Sequence, residues 1–136
     1  MDKVTPAKRS AIMRAIRSKN TNPEMVVRRL VHGLGYRFRL HRNDLPGRPD
    51  LIFPSRHKVI FVHGCFWHQH RSNSCRIARQ PKSNQAYWLP KLGRTTLRDR
   101  TNEELLQTLG WSVLTVWECE TKNPEVLSSQ LAQFLG

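Results

Sequence analysis

The chain is poor in acidic residues and cysteine and has no long apolar run, and each shortage excludes a class of protein. Only 10 Asp and Glu stand against 23 Lys and Arg, so the formal net charge is +13 and the simplest partner is a polyanion. No apolar run approaches the roughly 18 residues of a membrane span, and no signal peptide is recognisable. Three cysteines, an odd number, near histidines favour metal ligands over disulfide partners in a reducing compartment. We therefore expect a soluble intracellular protein that binds nucleic acid and no membrane.

The length and the apolar periodicity predict one α/β domain over residues 1–136. A chain of this size buries roughly two thirds of its unfolded surface, enough for a real core. Start signals, stop signals and alternation predict the order helix, helix, strand, strand, strand, helix, strand, helix. The predicted helices span 5–19, 22–34, 86–109 with an interruption at Pro90, and 123–135; the predicted strands span 36–41, 50–53, 58–62 and 111–117. The result is a mixed central sheet flanked by helices, with the last strand parallel to its neighbour.

The most informative stretch is residues 59–75. A β-branched run, 59–62, leads into His63-Gly64-Cys65-Phe66-Trp67-His68-Gln69-His70, and Cys75 follows. So many metal-binding and aromatic side chains at the end of a predicted strand favour a metal-dependent nucleic-acid enzyme. With Cys119 after the last strand, Cys65, His70 and Cys75 complete a Cys₃His set suited to a closed, structural Zn²⁺ site. Free buried cysteines are the alternative.

Acidic residues and histidines supply candidates for phosphodiester hydrolysis. Asp50 begins a buried strand and can anchor Mg²⁺, although a helix cap or an arginine partner would also explain it. His63 and His68 can transfer protons near neutral pH, and the alternative is a structural role. Glu24 and Asp99 are acids among bases, so either could orient a histidine or a hydrated metal, or form an exposed salt bridge.

Aromatic residues in the same loop favour stacking on bases. Phe66 and Trp67 are flanked by polar or metal-binding residues, where core packing is hard to arrange, so base stacking is the better use. Trp88 could join them or pack in the core. Trp111 and Trp117 lie in an apolar strand and are assigned to the core.

Several motifs resemble those of the very-short-patch mismatch repair endonucleases of bacteria, over most of the chain. They are Met13-Arg14-Ala15-Ile16, Leu45-Pro46-Gly47-Arg48-Pro49-Asp50, Phe61-Val62-His63-Gly64-Cys65-Phe66-Trp67-His68, Tyr87-Trp88-Leu89, Arg98-Asp99-Arg100, Leu109-Gly110-Trp111 and Val116-Trp117-Glu118-Cys119. The resemblance implies a fold similar to the restriction-endonuclease PD-(D/E)xK nucleases. It also implies a magnesium-dependent nick 5′ of the thymine in a T:G mismatch, in a cytoplasmic bacterial protein acting on double-stranded DNA as a monomer. Mismatch-repair accessory proteins and a companion DNA cytosine methyltransferase are the other implied partners.

The resemblance assigns a role to each site residue. Asp50 and the main chain of Val62 are implied to coordinate Mg²⁺, with Glu24 and His63 holding water on that ion. His68 is the implied general base, with Asp99 beside it. The implied Zn²⁺ ligands are Cys65, His70, Cys75 and Cys119. The implied DNA contacts are the wedge in the major groove and the basic N-terminal helix within 1–20, which enters the minor groove: Phe66, Trp67, Trp88, Lys91, Met13, Arg14 and Ile16.

Two other readings stay open at this point. One is a zinc-stabilised DNA-binding module without nuclease activity, which would not need Asp50 and His68. The other is a nuclease of broader action, which nicks several mismatches or cuts both strands of paired DNA. An aromatic wedge discriminates against cutting of paired DNA, because opening a stack is cheapest at a mismatch.

Overall fold

A three-stranded mixed sheet organises the chain, in a computed structural model that describes residues 21–40, 42–70, 75 and 83–136. Helix α1 spans Asn22–Gly33, α2 spans Gln85–Thr108 and α3 spans Pro124–Leu135. Strand β1 spans Leu51–Phe53, β2 spans Lys58–His63 and β3 spans Ser112–Trp117, with 3₁₀ turns at Pro54–Arg56 and Glu118–Lys122. The predicted N-terminal helix lies outside the described residues.

The sheet has the order β1-β2-β3, with an antiparallel and a parallel pair. The hairpin register pairs Leu51 with Ile60 and Phe53 with Lys58. Strand β3 runs parallel to β2, with Val62 opposite Val116. The predicted mixed sheet and the predicted parallel last strand are confirmed. The carboxyl ends of β2 and β3 therefore meet at one edge, which is where α/β folds place ligands.

Helices cover both faces of this sheet. One core cluster joins α1 and α3 to the first face: Val27, Val31, Leu51, Phe53, Ile60, Val116, Leu127, Leu131 and Leu135. The second cluster lies under α2 on the other face: Leu45, Ile52, Val59, Phe61 and Leu106. Neighbouring strand residues alternate between the two clusters because side chains alternate across a strand. Each fully buried aliphatic side chain contributes about 1.5–3 kcal/mol of hydrophobic stabilisation.

Glycine ends two of the helices, as the sequence predicts. Gly35 follows α1 with φ +92° and Gly110 follows α2 with φ +92°, a backbone region that glycine enters without steric cost. The chain can therefore reverse sharply after each helix. The turn after α2 leads directly into β3 and aligns it with β2.

Two predicted elements differ in the structure. The predicted strand 36–41 is reduced, within its described part, to a single antiparallel bridge between Arg39 and Ile52. Strand β1 has only three residues, too few to hold a longer partner. The predicted interruption at Pro90 is wrong: α2 is continuous through it. Pro90 lies near the start of the helix, where the missing N–H removes one hydrogen bond without ending the helix.

No helix within the described ranges is both long enough and apolar enough to cross a membrane.

Candidate active site and metal centre

A cleft of about 940 Å³ opens at the carboxyl ends of β2 and β3. Its walls come from the start of α1, the loop before β1, the turn 64–70, the middle of α2 and the end of β3. All five residues predicted to be catalytic line it: Glu24, Asp50, His63, His68 and Asp99. The fold therefore brings together residues that are separated by up to 75 positions in sequence.

Asp50, which is half-buried, and Glu24, which is buried, form a carboxyl pair at one wall of the cleft. Asp50 precedes β1, and its Oδ2 accepts a hydrogen bond of 2.6 Å from the Val62 N–H. Glu24 lies in the first turn of α1, is 5% exposed and pairs with Arg28 at 2.6 Å. Burial, and then the hydrogen bond with Glu24, raise the pKa of Asp50 to about 8. Two carboxyls in contact favour either a shared proton or a bound cation.

His63, His68 and Asp99 form a second polar group in the cleft. The rings of His63 and His68 are stacked, with centroids 3.8 Å apart and planes 6° from parallel. Nδ1 of His68 lies 2.5 Å from Oδ2 of Asp99. An ionised Asp99 only accepts hydrogen bonds, so Nδ1 carries the proton and Nε2 of His68 keeps its lone pair. This arrangement suits a general base.

The ring of His63 is held at the floor of the cleft in its neutral form. It is 8% exposed, and burial, followed by the charge on His68, lowers its pKa to about 4. The ligand atoms of His63, His68 and Asp99 lie close enough to hold a metal. Stacked parallel rings, however, direct their in-plane lone pairs along parallel lines that do not converge on one ion. Proton handling is the better use of this group.

The four predicted zinc ligands come together beside the cleft. The ligand atoms of Cys65, His70, Cys75 and Cys119 all lie within 4.8 Å of one another. Tetrahedral Zn²⁺ binds sulfur at about 2.3 Å and nitrogen at about 2.0–2.1 Å, so a ligand sulfur and the ligand nitrogen lie about 3.6 Å apart. Nδ1 of His70 lies 3.7 Å from Sγ of Cys65 and 3.4 Å from Sγ of Cys119. The donor set and its spacing therefore fit zinc.

The pKa values of the cysteines also favour a bound metal ion. Burial raises the pKa of the Cys65 thiol to about 12, and burial also raises the pKa of Cys119. Buried thiolates are unfavourable without a cation, and a divalent metal reverses that preference by binding them. The alternative of unrelated buried cysteines does not explain why three thiols converge on one imidazole.

Trp117 is not a core residue, and the expectation that it packs in the core is wrong. Its indole stacks on His70, with centroids 4.3 Å apart and planes at 9°, and lies edge-on to His63 at 5.3 Å. Trp111, by contrast, packs partly against the second core cluster and stacks on His57 at 4.9 Å. The two tryptophans therefore differ in role, because Trp111 immediately precedes β3 and Trp117 ends it.

An aromatic cluster forms the outer rim of the cleft. Phe66 contacts Trp67 and Trp88 with ring centroids 5.2 and 5.4 Å apart. Tyr87, which the sequence reasoning did not assign to DNA contact, joins at 5.0 Å from Trp88 and is 59% exposed. Nζ of Lys91 lies 5.4–5.8 Å from the ring centroids of Trp67, Tyr87 and Trp88. Tyr87 and Lys91 are four residues apart on α2 and therefore lie on one face of the helix. That spacing could have identified Tyr87 as a candidate DNA contact from the sequence.

The predicted DNA contacts in the N-terminal segment lie outside the described residues: Met13, Arg14 and Ile16. Val62, whose main chain is a predicted Mg²⁺ ligand, lines the cleft beside Asp50. The structure also places Arg48 in the cleft wall with φ +50°, a left-handed backbone that is costly for arginine.

Comparison with known proteins agrees with this geometry. The family model for the DNA mismatch endonuclease Vsr matches residues 1–74, which include Asp50 and the turn 64–70. The Type II nicking enzyme V.XorIIP of Xanthomonas oryzae pv. oryzae is 50% identical over 134 residues, which cover 98% of this chain and 96% of that protein. The Type II nicking enzyme V.NmeAIP of Neisseria meningitidis is 40% identical over 130 residues (96% and 91%). The DNA mismatch endonuclease Vsr of Escherichia coli is 42% identical over 124 residues (91% and 78%). The chain belongs to the Vsr family of DNA mismatch endonucleases.

Proposed function

We propose that this protein nicks one DNA strand on the 5′ side of the thymine in a T:G mismatch and requires Mg²⁺ to do so. One observation carries the proposal: Phe66 and Trp67 of the aromatic cluster line the same cleft as the His68–Asp99 pair. A base pair held by these rings then presents its neighbouring phosphate to His68, the proposed general base. Recognition and hydrolysis are served by one surface.

The rim supports recognition of a weakened base pair. Each base stacked on an aromatic side chain gains about 1–3 kcal/mol, while wedging a base step open costs a few kcal/mol. These terms nearly cancel on paired DNA, so the cost of opening decides where the protein binds productively. A T:G pair lowers that cost. The ammonium of Lys91, held among the rings, adds attraction for phosphate or base edges.

His68 removes the proton from the attacking water in this mechanism. Nε2 is its free acceptor, because Asp99 binds Nδ1. The Asp99 carboxylate also stabilises the imidazolium that forms. His63 stays neutral beneath it, so the stacked pair carries one positive charge at most.

Asp50, with Glu24 beside it, would hold Mg²⁺. An ion held by these carboxyls would neutralise charge on the phosphate and the leaving oxygen. Cys65, His70, Cys75 and Cys119 would hold Zn²⁺, which fixes the turn 64–70 to the end of β3. The donor chemistry fits each metal: carboxyl oxygens of Asp50 and Glu24 suit magnesium, and three sulfurs with one nitrogen suit zinc.

Nicking rather than double-strand cleavage follows from one set of catalytic groups in a chain that acts as a monomer. The names of two relatives, both Type II nicking enzymes, support this. Residues 1–20 carry Lys and Arg without a matching number of acids and would bind the duplex as a second contact.

A paired binding and cleavage experiment tests the proposal. T:G and C:G duplexes that are otherwise identical are incubated with the wild-type protein, Asp50→Ala and the control Asp44→Ala. Asp44 is exposed and pairs with Arg42. We expect wild type and Asp44→Ala to nick only the T:G duplex with Mg²⁺, and Asp50→Ala to bind it without nicking.

The outcomes separate the alternatives. Normal nicking by Asp50→Ala would overturn the Mg²⁺ assignment. Binding of T:G without nicking by the wild-type protein would favour a binding module, and equal cleavage of C:G would show a general nuclease.

A further inference from the structure

Trp117 contacts both halves of the site. Its indole lies nearly parallel to the His70 ring at 4.3 Å and meets the His63 ring edge-on at 5.3 Å. His63 in turn stacks on His68 at 3.8 Å. A continuous row of rings therefore runs from the Cys/His cluster to the His68–Asp99 pair.

The strand alternation explains why a tryptophan occupies this position. Val116 faces the first core cluster, so Thr115 and Trp117 on either side of it point to the opposite face and line the cleft. The parallel register sets His63 beside Trp117. The indole thus fills the space between the two parallel strands at their carboxyl ends.

Each of the two histidines that Trp117 touches has a ring nitrogen without a hydrogen bond among the described residues. Buried Nδ1 of His63 has no hydrogen-bond partner among the described residues. His70 uses Nδ1 toward two sulfurs, and within the described ranges its Nε2 makes no hydrogen bond. A metal-bound imidazole is ordinarily oriented by a hydrogen bond from its other nitrogen. Here an aromatic face is available in place of that hydrogen bond.

We infer that Trp117 is a positioning residue that holds His70 for the metal cluster and His63 for the catalytic pair. The catalytic part of this inference rests on the proposed function; the part that concerns His70 does not. Aromatic pairs of this geometry contribute about 0.5–1.5 kcal/mol each beyond their buried area. Loss of both contacts leaves His63 with an unpaired Nδ1 among the described residues, and leaves His70 held by Nδ1 alone.

Replacement of the indole should affect both centres together. Removing a group that orients a metal ligand without binding the metal itself typically lowers metal affinity about 10–100-fold. A displacement of about 1 Å at a catalytic group can cost about 100-fold in rate. For Trp117→Met we therefore expect zinc affinity to fall at least about 10-fold and kcat to fall about 10–100-fold. KM for the mismatched duplex should stay within about threefold, since the aromatic rim is intact.

Trp111 supplies the matched control. It immediately precedes β3, is half-buried and stacks on a histidine, His57, but it does not line the cleft. Trp111→Met removes the same indole next to the same strand. Trp117→Phe keeps a ring that can stack on His70. Its kcat and zinc affinity should therefore stay within about fivefold of the wild-type values, a loss similar to that of one aromatic contact.

Three measurements on the zinc-loaded full chain decide the matter. Competition with a chromophoric chelator gives the zinc affinity, single-turnover and steady-state nicking of a T:G duplex give kcat and KM, and NMR of the histidine ring protons reports the stacking. In wild type and Trp111→Met the indole ring current should shift the His70 and His63 ring protons. That shift should vanish in Trp117→Met.

Each outcome bears on the inference. If Trp117→Met keeps wild-type zinc affinity and kcat, or loses no more than Trp111→Met, the positioning role is wrong. If wild type does not nick T:G, the proposed function fails, and the zinc affinities still test the role of Trp117 at His70. If Trp117→Met does not fold, the zinc affinity and kcat of Trp117→Phe are compared with those of Trp111→Phe instead. NMR contacts between the indole and the histidine ring protons of the wild-type protein complete that test.

Discussion

Asp99 offers the sharpest test of the proton-transfer mechanism. Replacing it with alanine removes the carboxylate that lies 2.5 Å from Nδ1 of His68. Both side chains are 25% exposed, so the pair is only partly screened by solvent. A hydrogen bond to a charged group contributes about 1.5–3 kcal/mol, and each 1.36 kcal/mol is tenfold in rate. We expect kcat for Asp99→Ala to fall about 10–150-fold.

The assay is single-turnover nicking of a labelled T:G duplex at saturating protein, with binding measured separately. Glu104→Ala is the control, because Glu104 is an exposed acid on the same helix and does not line the cleft. It changes the net charge by the same amount. Asp99→Asn keeps an acceptor oxygen without the charge and should fall between the two. A kcat for Asp99→Ala within about twofold of that for Glu104→Ala would refute the role of Asp99.

Three other predictions follow from the cleft. Elemental analysis should find one zinc per chain, and a strong chelator should lower the melting temperature by several degrees because it removes the link between the turn 64–70 and β3; an unchanged melting temperature would contradict the zinc site. Arg48→Gly should raise the free energy of unfolding by about 1 kcal/mol, because glycine accepts φ +50°. The same variant should slow nicking, because a positive charge in the cleft wall is lost, and faster nicking would contradict that role. Trp67→Ala should weaken T:G binding by about 1–3 kcal/mol and slow nicking, and equal binding of the variant would remove the wedge.

Much of the fold could be predicted from the sequence because local signals and burial agree. The predicted strand 58–62 agrees with β2 to within one residue of its end, and Gly35 and Gly110 end their helices as predicted. The Cys₃His set is also brought together as predicted. Side-chain chemistry alone indicated those four residues as candidate zinc ligands, with free buried cysteines as the alternative.

Other features depend on tertiary contacts and could not be predicted from the local sequence. The segment 36–41 alternates as a strand should, but among its described residues, 36–40, the three-residue β1 pairs only with Arg39. Trp117 lies in an apolar strand, and only the parallel register with β2 reveals that it faces the cleft. The stack of His63 on His68 depends on the path of the turn 64–70 and could not be inferred from spacing.

The central claim is tested most directly by mapping the cut at nucleotide resolution in labelled duplexes that differ only at one pair: T:G, T:T, G:G or C:G. With Mg²⁺ present, we predict one nick on the 5′ side of the thymine, in the T strand of the T:G duplex alone. Cutting of both strands, or cutting of the C:G duplex at a comparable rate, would contradict the account.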